Sequence, residues 1–315
     1  MTHLTTAVLF PGQGSQSLKM LSALAAEHAC VRESFDEASV AIEFDLWALS
    51  QDGPEALLNQ TTNTQPALLA AGVAVWRAWK HAGGADPVVM AGHSLGEYTA
   101  LVCAGAISLA DGARLVRERG RLMQASVPEG TGAMAAVLNA DLALLVEVCA
   151  LASSPGTAVV PANLNAPGQI VISGASVAVD RALALLAERG VKRAIRLPVS
   201  VPSHSPLMRV AAEAFAPHLA ATEIRPPCIP VIHNADVATH ADADSIRAVL
   251  ARQLCEPVRW IETIEACVSL GVVQTLECGP GKVLGGLVKR IAPTLQNFAI
   301  GEPPGFNAAL AGAQA

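Results

Sequence analysis

The chain has 315 residues, 52% hydrophobic and 15% charged, enough apolar material for a large core, alone or with a subordinate domain, and too much for disorder over most of its length. Its net charge of −6 is spread without acidic or basic blocks and aromatics make up only 3%, which argues against nucleic acid as a partner. No apolar run approaches bilayer-spanning length, and no signal peptide is read at the N-terminus. The expectation is a cytoplasmic protein without membrane contact. Seven dispersed cysteines without a Cys-x-x-Cys pair (Cys30, Cys103, Cys149, Cys228, Cys255, Cys267 and Cys278) read as reduced thiols packed in the core.

Alanine-rich helical segments alternate with short Val/Ile runs, which indicates an α/β class with a mainly parallel sheet buried on both faces. The first strand is expected at 7–10, broken by Pro11-Gly12-Gln13-Gly14-Ser15-Gln16, with a helix from about Ser17. The loop fails as a dinucleotide fingerprint because Ser17 stands where the third glycine belongs. It is adequate as a turn, and also as a glycine-rich loop lending an oxyanion N–H to a nucleophile elsewhere. Helical patterns follow at 23–41 and 64–81.

The apolar run Val88-Val89-Met90-Ala91 leads into Gly92-His93-Ser94-Leu95-Gly96, and then into a buried helix start. Strand, sharp turn and helix is the context of a nucleophile elbow, in which a serine is held exposed and the N–H of Leu95 points to an oxyanion site. The bland alternative is that Ser94 only caps the helix. Ser108 opens a further helix ending near Ser126, on which Leu115, Val116, Leu122 and Met123 share a stripe with Arg119. A buried guanidinium needs a partner, and periodicity alone favours an internal salt bridge over an anionic ligand.

From 127 the order is strand 133–138, helix 142–152, strand 158–164, strand 169–173, helix 177–189, strand 191–197. That βαββαβ order is ferredoxin-like, and it implies an inserted small domain at 127–199 within a catalytic domain made of 1–126 and 200–300. Prolines flank His204 where the chain re-enters the large domain, which makes it a candidate base, although a lone histidine is more often structural. No following carboxylate stands out as a third member of a triad. A strand at 272–277 leads into Gly279-Pro280-Gly281-Lys282, which is not a P-loop, since Val283 replaces its Ser/Thr. The segment 301–315 reads as a loosely ordered tail.

Taken together, Phe10-Pro11-Gly12-Gln13-Gly14-Ser15-Gln16, Gly92-His93-Ser94-Leu95-Gly96-Glu97-Tyr98, Pro128 to Met134, Val201-Pro202-Ser203-His204 and Gly279-Pro280-Gly281-Lys282 resemble the malonyl-CoA:acyl-carrier-protein transacylases of type II fatty acid synthesis over nearly the whole chain. The resemblance implies a hydrolase-like large domain interrupted by the ferredoxin-like insert. It also implies Ser94 as the acylated nucleophile, His204 as base, and the N–H groups of Gln13 and Leu95 as the oxyanion hole. Arg119 would grip the malonyl carboxylate, and a main-chain carbonyl near Gln253 would orient His204. Asn163, Asn165 and Asn234 are implied as secondary positions near the site.

The implied reaction is a ping-pong transfer from malonyl-CoA to acyl carrier protein that supplies fatty acid synthesis, with no metal or redox cofactor, by a monomer. Malonyl-selective polyketide acyltransferases usually carry phenylalanine where this chain has Ser203. A serine thioesterase or esterase, a polyketide-type acyltransferase and a non-catalytic carrier-docking module stand as alternatives.

Overall fold

The computed structural model describes residues 5–199 and 201–314; Met1 to Leu4, Ser200 in the proline-flanked loop and Ala315 of the expected tail lie outside the described residues. Strand β1 (Thr6–Phe10) is buried along nearly its whole length and leads through a loop into α1 (Ser22–Glu27) and α2 (Ala29–Ile42). The helix expected from Ser17 thus starts later, because turns occupy the intervening residues, with Lys19 and Leu21 at positive φ. The single helix expected at 23–41 is two, broken at His28, whose extended backbone sets its ring 5.0 Å from that of Phe306. Short helices α3 (Leu46–Asp52) and α4 (Glu55–Leu58) precede α5 (Thr61–His81), which is buried on nearly every face and so runs through the core.

Strand β2 (Val89–Gly92), the elbow helix α6 (Leu95–Cys103) and α7 (Leu109–Ala125) follow. Ser108 caps α7, its Oγ accepting from Asp111 N–H. The chain then builds β3 (Gly132–Leu138), α8 (Leu142–Ala152), β4 (Val159–Ala166), β5 (Gln169–Ala175), α9 (Ser176–Glu188) and β6 (Arg193–Arg196). After a 3-10 turn (Pro206–Met208) come α10 (Arg209–Ala221), β7 (Val231–Ile232), α11 (Ala243–Gln253), α12 (Trp260–Ser269), β8 (Gln274–Glu277), α13 (Val283–Ile291), β9 (Gln296–Ala299) and α14 (Pro303–Gln314).

Two sheets result. The five-stranded sheet, ordered β7-β2-β1-β8-β9, is parallel throughout and is covered by helices on both faces, which explains strands apolar on both sides. The four-stranded sheet, ordered β4-β5-β3-β6, is antiparallel, the ferredoxin-like arrangement expected from the βαββαβ order. Helices α8 and α9 bury one of its faces through Val148, Val179 and Leu186 against Ala135 and Ile172. Its other face presents Met134 and Val171, with Leu197 and Val199, to a cavity shared with the large sheet.

Two further expectations are overturned here. The tail is helical, because Phe306 and Ala309 give α14 an apolar face and the Phe306 ring meets Trp79 edge-on at 5.9 Å. Not every cysteine packs in the core: Cys228 is exposed, in a segment tied back by its N–H to the Ala104 carbonyl.

Candidate active site

Parallel pairing places the site. Phe10 of β1 lies in register with Gly92 of β2, so the loop after β1 and the elbow after β2 leave the same edge of the sheet side by side. His93 N–H donates to the Phe10 carbonyl at 2.9 Å and holds them together. The elbow needs its glycines: a Cβ on Gly92 would sit 1.9 Å from the carbonyl carbon of Gly96, and one on Gly96 would sit 2.1 Å from the Phe10 carbonyl oxygen.

Between them Ser94 takes φ 52° and ψ −104°, a strained conformation that lifts its side chain out of the turn. Its Oγ makes no capping bond to α6, which disposes of the helix-cap alternative. The hydroxyl lies 2.7 Å from His204 Nε2.

His204 is likewise held at positive φ, its N–H bonded to the Leu254 carbonyl, in a loop braced by Ser205 Oγ on the Pro202 carbonyl. Its Nδ1 donates to the Gln253 carbonyl at 2.8 Å and also faces the Glu256 carbonyl at 3.1 Å. Carbonyls only accept, so the ring proton sits on Nδ1 and Nε2 presents a lone pair to the serine. Burial pushes the imidazole down to about 3, helped by the Arg119 charge, so the ring is neutral at physiological pH. Among the described residues its ring partners are these two carbonyls and the serine hydroxyl.

Arg119 is 1% exposed, as its helical stripe requires. Among the described residues no carboxylate forms the expected internal salt bridge with it: Nη1 donates to Gln65 Oε1 and Nη2 to Gln253 Oε1, both at 2.9 Å. Nη2 also reaches Ser94 Oγ at 3.3 Å, the Tyr98 ring lies 5.3 Å from the guanidinium carbon, and Nε has no partner among the described residues. Burial pulls the guanidinium below its ordinary value, yet arginine keeps its charge in proteins. The centre therefore holds a fixed cation, tethered by neutral oxygens, with donors to spare.

The remaining positions fall into place around this group. Asn234 bridges the elbow, its Oδ1 accepting from Ser94 N–H and its Nδ2 donating to the Gly92 carbonyl, each at 2.7 Å. Asn165 Oδ1 pairs with His93 Nε2 at 2.8 Å, and burial lowers the His93 imidazole. Asn163 lines the cavity with an Oδ1 that has no partner among the described residues. Leu95 opens α6 and Gln13 lies across the cavity; neither N–H meets a protein acceptor among the described residues. The cavity itself, about 430 Å³, lies between the two sheets, with Met123, Met134, Val283 and Leu287 as its apolar wall.

Sequence reasoning missed two residues. Gln65 is one of a run of buried polar residues in the first turns of α5, with Thr61, Asn63 and Thr64, and nothing in the sequence sets it apart from them. Glu97 was visible in the elbow motif but had no assigned part; a carboxylate in the first turn of a fully buried helix was its signal.

Residues 8–284 match the family model described as the acyl transferase domain. A malonyl CoA-acyl carrier protein transacylase of Escherichia coli K12 is 52% identical over 304 residues, covering 96% of this chain and 98% of the relative. The chain belongs to the malonyl-CoA:acyl-carrier-protein transacylase family. A crystal structure of a transacylase of this family from Xanthomonas oryzae pv. oryzae superposes with a TM-score of 0.97 at 55% identity, covering 99% of each chain. Another member, a malonyl-transacylase solved in complex with its type II polyketide acyl-carrier protein, matches with a TM-score of 0.96 at 50% identity over 98% of this chain and 99% of that one.

Proposed function

We propose that this chain transfers the malonyl group of malonyl-CoA to the phosphopantetheine thiol of acyl carrier protein through a malonyl ester on Ser94, supplying extender units for fatty acid synthesis. The observation that carries the reading is the buried Arg119, tethered by two amide oxygens and 3.3 Å from the nucleophile, with no carboxylate bonded to it among the described residues.

His204 Nε2 takes the Ser94 proton as Oγ attacks the thioester carbonyl. The oxyanion faces the N–H groups of Leu95 and Gln13, which have no competing acceptor among the described residues. Collapse breaks the carbon–sulfur bond, and the departing coenzyme A thiolate takes the proton from His204. The carrier thiol then gives its proton to His204, attacks the ester, and leaves Ser94 reprotonated with malonyl on the carrier. Arg119 holds the free carboxylate through both half-reactions, as a planar fork suits two oxygens.

Nucleophile, base and cation all come from one chain, so a monomer suffices for the reaction. No described helix is long and apolar enough to cross a membrane, consistent with a cytoplasmic enzyme that meets both substrates in solution. A thioesterase would share the elbow and dyad but has no need of a buried cation beside the serine. Incubation with malonyl-CoA and the holo carrier tests the reading: malonyl-carrier is expected, and free malonate in its place would make the enzyme a hydrolase.

A further inference from the structure

The carboxylate that Arg119 was expected to meet is present, one amide away. Glu97 is fully buried in the first turn of α6, where three polar groups meet its carboxyl. Its Oε1 lies 2.8 Å from His233 Nδ1, and its Oε2 accepts from Asn234 N–H and from Gln253 Nε2, both at 2.9 Å. Two donors converge on Oε2, so that oxygen is held as an acceptor between Asn234 and Gln253.

The consequence runs through Gln253. With Nε2 committed to Glu97 and to the Ser94 carbonyl at 3.0 Å, the amide oxygen is the end left to face Arg119 Nη2. The reversed amide would set its NH₂ against the guanidinium and its oxygen against the carboxylate, unfavourable at both ends.

We infer that Glu97 is a positioning residue for the acyl carboxylate site: it locks the Gln253 amide in the orientation that tethers Arg119, and supplies the counter-charge through that amide so that the guanidinium remains free for substrate. This rests on the reading of Arg119 proposed above. A direct ion pair would stabilise the buried cation equally well but would occupy the fork that a carboxylated acyl group needs. The interposed amide separates the two demands. The same carboxylate also fixes Asn234, whose Oδ1 holds Ser94 N–H, so some loss of general reactivity accompanies its removal.

The test is single-turnover acylation of Ser94 by malonyl-CoA and by acetyl-CoA, followed by intact mass, in wild type, Glu97→Gln, Gln253→Met and the double variant. Gln253→Met removes the amide but keeps the main-chain carbonyl that orients His204. Each single variant is expected to lower the malonyl-to-acetyl rate ratio by about tenfold or more, and the double variant no further than either. Malonyl and acetyl rates falling in parallel in Glu97→Gln would reduce Glu97 to a support for the elbow and overturn the inference. So would an unchanged ratio in Gln253→Met, which decides the matter if Glu97→Gln does not fold. A wild type with no malonyl preference overturns the reading of Arg119 and the inference with it; a preference that survives both single substitutions overturns the inference alone.

Discussion

Replacing Arg119 by alanine should convert a carboxylate-selective acyltransferase into an indifferent one. The guanidinium is buried, and two amide oxygens at 2.9 Å fix its plane, so little ordering remains to be done when a carboxylate arrives. A hydrogen bond to a charged group contributes about 1.5–3 kcal/mol, so losing it should lower malonyl kcat/KM by about 10–200-fold. Acetyl transfer should fall far less, since no buried cation is left unpaired when a neutral chain binds. Arg119→Lys should lie between, because a point charge cannot reach Gln65, Gln253 and two substrate oxygens at once. The assay is the malonyl-to-acetyl ratio of kcat/KM, with thermal melts to exclude misfolding. An unchanged ratio with a large drop in melting temperature would make Arg119 a structural residue and refute the reasoning.

Three further outcomes follow from the geometry. Because His204 is pushed down to about 3, kcat/KM should stay flat from about pH 8 to about pH 5, and an acid limb centred near 6.5 would contradict the buried neutral base. Both His204 and His93 are lowered on folding, so the unfolded chain binds protons that the native one does not; stability should therefore decline as pH falls below about 6.5, and melts of His204→Ala should show a shallower decline. Phe306→Ala should cost about 3–5 kcal/mol in denaturant titrations, where a loosely ordered tail would lose almost nothing.

What the sequence made legible was local. Apolar periodicity exposed Arg119 as a buried cation, glycine spacing exposed the elbow, and the βαββαβ rhythm exposed the antiparallel sheet, since each is written within a few turns of chain. The identity of Arg119's neighbours was not, because Gln65 and Gln253 lie 54 and 134 residues away and carry no pattern of their own. The same holds for Glu97: its place in the motif was plain, but its three partners come from β7's exit and the end of α11 and meet only in the folded chain. The C-terminal helix departs from the expected loose tail: glycine, proline and alanine dominate its sequence, while the largest contact that orders it is Phe306, seated on Trp79 and His28.

The central claim is that Ser94 carries the malonyl group between donor and acceptor. Intact mass after mixing the enzyme with malonyl-CoA and no acceptor tests it most directly. The account predicts a malonyl adduct that maps to Ser94, discharges when the holo carrier is added, and is absent from Ser94→Ala. An adduct that persists undiminished in Ser94→Ala, or free malonate accumulating with no adduct in wild type, would contradict it.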